Sequence, residues 1–395
     1  MSSPLDFLHS ELQQLKDQGL YMNYPVLERA QTPRTVIDGR KVINLASNNY
    51  LGLATHPKLK KAAIAAVKKY GAGVAAGKII CGNMSIHVEL DRRIAEFKGT
   101  EAALVCLTGY VTNAGIIPSI IGPEDATISD ELNHASIVDG CRMSRAKIKV
   151  YKHGDPDSAE SQLKAAREEG ARRILIVTDS VFSMDGDIAP LPELVKRAKK
   201  YEAITMVDDA HAVGVLGEGG RGIVSHFGLK DQVDIQMGTM SKALGIIGGY
   251  IAGSQELIDW LAQRHRPNLF SASTMTPADV AACLAAFEVL QEEPDRIKRL
   301  WERTNYFKDG LTKLGFNTGK SQTPITPVIV GESHTASKLS RRLFEEGVFA
   351  TAIVYPVVAR DQARLRTIVS SEHTQEDLDE AMEKFKFVGK ALSII

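Results

Sequence analysis

The chain is 395 residues long, 44% hydrophobic and 24% charged, which is enough to bury a large core and more than one compact core usually organises. Lys plus Arg and Asp plus Glu each number 48, so the formal net charge of zero supplies no global field for nucleic acid or an anionic membrane, and any anion must be held locally. Four cysteines, Cys81, Cys106, Cys141 and Cys283, show no metal-ligand spacing and are too sparse for a disulfide scaffold, so no metal site and a reducing, cytoplasmic setting are expected.

Helical periodicity over 5–20, polar and amphipathic, with neither an apolar signal core nor an Arg-rich transit character, gives way to a strand-like segment at 35–45 that turns at Asp38-Gly39. Residues 1–45 read as an N-terminal arm. No apolar run reaches membrane-spanning length. From 46 onward, short apolar runs at 103–107, 126–129, 174–178, 204–207, 235–238 and 247–252 alternate with helical stretches. That alternation predicts an α/β large domain over 46–290, a mostly parallel sheet flanked by helices. Beyond the helical 278–290, the punctuation Glu292-Glu293-Pro294-Asp295 opens a smaller C-terminal α+β domain, 291–395.

Residues that carry chemistry gather where the predicted strands end, the side on which open α/β sheets bind ligands. Thr108-Gly109-Tyr110-Val111-Thr112-Asn113 follows a buried strand and opens a helix, so its backbone N–H groups could cradle a phosphate; Tyr110 as core packing is the alternative. The run at 129–136 supplies His134, either an imidazole able to lie flat on a ring or a surface histidine beside a helix capped by Asn133. At 204–211 a buried strand runs into Asp208, Asp209 and then His211. An acid there could keep a pyridinium nitrogen protonated while the imidazole stacks or donates to a ring substituent; equally, an aspartate could cap a helix and His211 be half-buried packing. Gly217-Glu218-Gly219-Gly220-Arg221-Gly222 matches G-x-G-x-x-G, but Arg221-Gly222-Ile223-Val224-Ser225-His226 is a poor helix opening, and the stretch reads as a flexible loop. Finally, Lys242 follows the hydroxyls of Thr239 and Ser241 and precedes a glycine-rich run: an imine-forming nucleophile beside a phosphate site if desolvated, a solvated charge if not. Two strand ends offer complementary groups for one cofactor, an acid for a ring nitrogen and an amine for an aldehyde.

Together with Ser47-Asn48-Asn49-Tyr50-Leu51-Gly52, 129–140, 178–186, 207–214, 239–242 and 363–374, these runs resemble the α-oxoamine synthase family of fold-type I pyridoxal phosphate enzymes along nearly the whole chain. Members of that family join an amino acid to an acyl-CoA thioester. The resemblance implies pyridoxal 5'-phosphate as cofactor, amino-acid and acyl-CoA substrates, and a homodimer with the active site at its interface. It implies Lys242 as the imine-forming catalytic lysine, Asp208 as partner of the ring nitrogen, His134 as the stacked imidazole, and His211 and Ser183 near the phenolic oxygen. Phosphate binding would fall to the Gly109-Tyr110 backbone, to Thr239 and to the partner subunit's Ser271 in Phe270-Ser271-Ala272-Ser273. Arg366 would fork onto the amino-acid carboxylate with Asn48 beside it. The condensation expected first is glycine with acetyl-CoA, as in a glycine C-acetyltransferase; the alternative is alanine with a pimeloyl thioester, decarboxylating to 8-amino-7-oxononanoate, or a broad specificity covering both. The segment 71–83, usually small with a Ser and an Arg, reads Gly73-Val74-Ala75-Ala76-Gly77-Lys78-Ile79-Ile80 here, and Ser180 stands where glycine is usual. If the first borders the acyl pocket, it alters the size and charge of that pocket.

Overall fold

The computed structural model describes residues 3–17, 21, 23–271 and 274–395; positions 18–20 of the predicted first helix and 272–273 of the Phe270 run lie outside them. That helix spans Phe7–Asp17 and buries none of its residues against the rest of the chain. The predicted hairpin follows as β1 (Arg34–Ile37) and β2 (Arg40–Asn44), paired antiparallel. Asp38 and Gly39 have φ of 46° and 75°, the left-handed pair that a two-residue turn between twisted strands requires.

The predicted apolar runs become β3 (Ala102–Cys106), β4 (Ala126–Asp130), β5 (Lys147–Tyr151), β6 (Ile174–Asp179), β7 (Ile204–Asp208), β8 (Ile235–Thr239) and β9 (Gly249–Gly253). They form one sheet in the order β3-β9-β8-β7-β6-β4-β5, parallel except for β9, which runs against both β3 and β8. Strand β5 escapes a purely apolar reading because it sits at the sheet edge with most of its residues exposed. Interior strands are apolar without alternation because both faces are covered. In β3, Ala103 and Val105 join the core beneath helices Ser85–Lys98 and Pro277–Glu292, whereas Leu104 and Cys106 join the core beneath helix Gly109–Ile120.

Helix Pro277–Glu292 stops at Glu293-Pro294, and Asp295–Lys313 leads into a second lobe. There β10 (Ile325–Gly331), β12 (Thr351–Ile353) and β13 (Ala363–Ile368) form an antiparallel sheet in the order β10-β13-β12. The short β11 (Val348–Phe349) pairs instead with β2, in parallel. Ile43 and Leu45 therefore share a core with Phe307, Leu339, Leu365 and Phe385. We propose a division into 46–290 and 291–395, with the hairpin of the 1–45 segment folding as part of the smaller lobe.

Candidate active site

The carboxyl ends of β3, β4, β6, β7 and β8 surround a cavity of about 320 Å³, lined among others by Gly109, Tyr110, His134, Ser183, Asp208, His211, Thr239 and Lys242. Asp208 is the last residue of β7; its carboxylate accepts from Asn113 Nδ2 at 2.7 Å and from the Ala210 N–H at 2.8 Å. Its neighbour turns the other way. Asp209 meets Lys98 at 2.7 Å with both side chains sealed from solvent, and Asp209 also accepts from the Ile223 N–H at 3.1 Å. Successive residues at a strand end face opposite sides, so only Asp208 is available to a ligand. Lys98 donates to the Arg221 carbonyl at 2.5 Å as well, and Gly222 lies against Asp209 so closely that a Cβ would collide. The Gly217–Gly222 stretch is thus a tied-down turn packed on a buried ion pair, where a flexible loop was expected.

His134 is itself the N-cap of helix Ala135–Ser144, with Nδ1 accepting from the Ser136 N–H at 3.2 Å. Asn133, the cap under the alternative reading, instead fastens β4 to β6: its amide donates to Ser129 Oγ and the Val177 carbonyl and accepts from the Asp179 N–H. The Ser136 hydroxyl lies 2.7 Å from His134 Nδ1 and accepts from Asn113 Nδ2 at 2.9 Å. Asn113 therefore bridges Asp208 to the His134 cap with its two amide hydrogens. Partial enclosure lowers the His134 pKa, against the pull of Asp208, and with Nδ1 accepting from the Ser136 N–H the neutral ring carries its proton on Nε2.

His211 is buried, and its Nδ1 lies 2.8 Å from the Tyr50 hydroxyl. Burial pushes the Tyr50 phenol up to about 12 and the His211 imidazole well below its usual value, with Lys242 and Arg366 adding to the latter. The phenol stays protonated and donates to Nδ1, leaving Nε2–H for a ligand. Lys242 lies in the connection from β8 to β9, where the Thr239 hydroxyl donates to the Gly248 carbonyl at 2.6 Å and stands 2.9 Å from Ser241 Oγ. Burial of the amine brings it down to about 8, although Asp208 and Asp179 oppose the shift. A lysine so placed carries a far larger neutral, nucleophilic fraction near neutrality than an ordinary lysine does.

Behind Ser183, which lines the cavity, Arg366 of β13 donates from Nε to the Ser183 carbonyl at 2.5 Å and from Nη1 and Nη2 to Asn48 Oδ1 at 3.3 and 3.2 Å; Arg366 and Asn48 are not themselves among the lining residues. Ser271 is not brought into the cavity within this chain; it borders a separate groove with Lys78, Tyr110 and Arg266. In the 71–83 segment, Lys78 opens a short helical turn, Lys78–Gly82, and approaches Asp91 at 3.7 Å, so that it faces the groove and not the cavity. Tyr110 is 49% exposed and hydrogen-bonds the Asp139 carboxylate, which excludes core packing as its role. Asn113, Ser136 and Tyr50 were not given roles from the sequence. Asn113 sits one helical turn from Gly109, so i,i+4 spacing from the phosphate-cradle turn could have flagged it.

These groups fit pyridoxal 5'-phosphate. Helix Gly109–Ile120 presents its N-terminus, capped by Thr108, beside the Thr239 and Ser241 hydroxyls, and a Cβ on Gly109 would sit 3.3 Å from Thr239 Cβ and narrow the cradle. Asp208 supplies an acid and Lys242 an amine from adjacent strand ends. Among the described residues no His, Cys, Asp and Glu cluster could hold a metal ion, and no helix is long and apolar enough to cross a membrane.

Residues 40–385 match the family described as Aminotransferase class I and II. The 8-amino-7-oxononanoate synthase of Thermoanaerobacter pseudethanolicus is 56% identical over 391 residues, covering 99% of this chain and 98% of that protein. The enzyme of the same name from Fervidobacterium nodosum is 55% identical over 390 residues, covering 98% of each. Among solved structures, a serine palmitoyltransferase from S. paucimobilis with bound PLP superposes with a TM-score of 0.93 at 31% identity, covering 99% of this chain and 98% of that one.

Proposed function

Since the chain belongs to the class I and II aminotransferase family and is a pyridoxal-phosphate-dependent acyltransferase of the α-oxoamine synthase group, we propose that it condenses L-alanine with a pimeloyl thioester. Carbon dioxide and the free thiol leave, and 8-amino-7-oxononanoate remains. The observation that carries this reading is end-to-end identity above one half with relatives bearing that name, which favours it over the glycine and acetyl-CoA condensation expected first.

Lys242, Asp208, His134 and His211 are the proposed catalytic set, with Gly109, Tyr110, Ser183 and Thr239 completing the cofactor site. Bound there, the cofactor would supply an aldehyde that condenses with amines and a protonated pyridine ring that takes up electrons from the amino acid's α-carbon. Asp208, fixed by Asn113 and the Ala210 N–H, holds a carboxylate where the ring nitrogen must remain protonated. Arg366 exchanges its bonds to Asn48 for a bidentate grip on the amino-acid carboxylate. Lys242, with its amine near 8, removes the α-proton as general base. His134, which lines the cavity, polarises the thioester carbonyl through its Nε2–H. The partner subunit's Ser271 completes phosphate binding across a homodimer, because Ser271 of the same chain lies in the outer groove.

The test is thiol release by cofactor-loaded protein offered L-alanine with pimeloyl-CoA and, separately, glycine with acetyl-CoA. Alanine-dependent release from pimeloyl-CoA, with 8-amino-7-oxononanoate as product, is the expected outcome. Faster release with glycine and acetyl-CoA would return the assignment to the acetyltransferase.

A further inference from the structure

Between β6 and helix Leu191–Lys200 the chain makes a tight excursion. An isolated bridge pairs Val181 with Ile188, the Phe182 N–H donates to the Asp187 carbonyl at 3.1 Å, and the Gly186 N–H returns to the Phe182 carbonyl at 2.8 Å. Its inner side faces the site: Ser183 lines the cavity and its carbonyl receives Arg366. Arg364, two residues before Arg366 and on the same face of β13, donates to the Met184 carbonyl at 3.2 Å and pairs with Asp185. Both arginines grip this excursion from the smaller lobe.

On the sheet side its root is tied by Ser180, whose N–H and hydroxyl donate to the Asp208 carbonyl at 2.9 and 2.8 Å, and its far end is held by an imidazole. His153 Nε2 lies 2.9 Å from Asp187 Oδ2, and Nδ1 lies 3.0 Å from Asp130 Oδ1. Phe182 packs edge-on against the ring with centroids 4.3 Å apart. Asp130 ends β4 and also accepts from the Leu132 and Gly154 N–H groups, so it anchors the turn that leads to His134. Glu131 receives the His153 backbone N–H at 2.9 Å, which fixes the residue carrying the ring. With a carboxylate on each nitrogen, both nitrogens must donate, and the ring is an imidazolium. One side chain thus joins the turn bearing His134 to the excursion bearing Ser183.

We propose that His153 is a positioning residue for amino-acid binding: by tying Asp187 to Asp130 it fixes the Ser183 carbonyl against which Arg366 is aligned. The inference rests on the proposed role of Arg366 as the carboxylate-binding group and is independent of which acyl donor is used. Released from His153, the far end of the excursion keeps its grips on the smaller lobe, from β13, Gln322 and Thr323, but stays tied to the sheet only through its root at Ser180, so the guanidinium and the cofactor-binding groups are held less firmly in one frame. Misplacement of a binding group by about 1 Å can cost on the order of a hundredfold in rate.

The experiment titrates the holoenzyme with L-alanine, and in parallel with glycine, by the change in cofactor absorbance with no acyl donor present. His153→Gln and Asp187→Ala are each expected to raise the amino-acid Kd by about tenfold or more, with cofactor affinity and melting temperature close to wild type. Asp187→Asn should stay within about threefold, because neutral His153 can donate to Asp130 and accept from the new carboxamide. Wild-type Kd values in the first two variants, equal impairment of Asp187→Ala and Asp187→Asn, or a parallel loss of cofactor affinity would each overturn the proposal. Should His153→Gln fail to fold, the two Asp187 variants decide alone. A wild-type preference for glycine over alanine would count against the proposed reaction and leave the His153 test intact.

Discussion

At the floor of the cavity, Asp208, Thr239 and Lys242 come from the ends or the connection of adjacent strands in one sheet. At its rim, Ser183 is held by Arg366, which also holds Asn48: three segments, with Arg366 and Asn48 separated by 318 positions in the chain. The floor is locked by short-range geometry: strand pairing, the Asn113 bridge, and the Thr239 hydroxyl on Gly248. The rim depends on how the smaller lobe sits against the larger one, because β13 carries Arg366 while Ser183 follows β6. A small shear of one lobe on the other would move the rim and leave the floor unchanged. On the proposed roles, chemistry common to many substrates would belong to the part built within one sheet, and selection of the substrate to the part that crosses between lobes.

The largest expected effect breaks the floor. Lys242→Ala should lower turnover by a factor on the order of 10³ or more, since a general base alone contributes about 10² to 10⁴, while the melting temperature stays near wild type; retained turnover would remove Lys242 from the mechanism. At the rim, Arg366→Lys should raise the amino-acid KM by roughly tenfold to a hundredfold, matching the loss of a charged hydrogen bond worth about 1.5–3 kcal/mol, with the KM for the thioester little changed. Steady-state kinetics with each substrate varied in turn separates the two. A smaller effect sharpens the reading of the floor. Burial lowers the Lys242 amine to about 8, so the neutral, nucleophilic form grows as pH rises through that value. Uptake of pyridoxal phosphate by cofactor-free enzyme should accelerate between pH 7 and 9 with a midpoint near 8; at pH 7 the rate should be roughly tenfold below its plateau. A midpoint near the ordinary lysine value would mean that the amine is solvated.

The same division explains what could be read from the sequence. Apolar runs located the sheet strands because strands covered on both faces leave a continuous hydrophobic record, and their ends delivered Lys242, Asp208, His211 and His134 as candidates. The edge strand β5, Lys147–Tyr151, alternates lysine with apolar residues and was missed, since an apolar-run criterion does not see it. Asp208 and Asp209 could not be told apart from their spacing; the distinction is made by Lys98, which is buried 111 positions away in the chain. The cap offered to Asn133 as the alternative falls to His134, because a histidine ring nitrogen can also cap a helix, while the asparagine amide finds two strands to join. Asn48, Arg366 and Ser183 entered only through family resemblance: no local pattern announces a contact that forms when two lobes close on each other. His153 left no trace at all, being a histidine between unremarkable neighbours until the fold sets two carboxylates around it.

The reversal at β9 also governs how the chain tolerates changes of length. Parallel neighbours such as β6, β7 and β8 are joined by long crossovers, and residues added there lengthen a surface connection without disturbing strand register. The connection at 240–248 has no such slack, because Thr239 and Gly249 pair directly across its base. An insertion of one residue there would turn the lysine away from the strand ends or push the β8–β9 ladder out of step. Added length is thus better accommodated in the crossovers than in the segment that carries the amine.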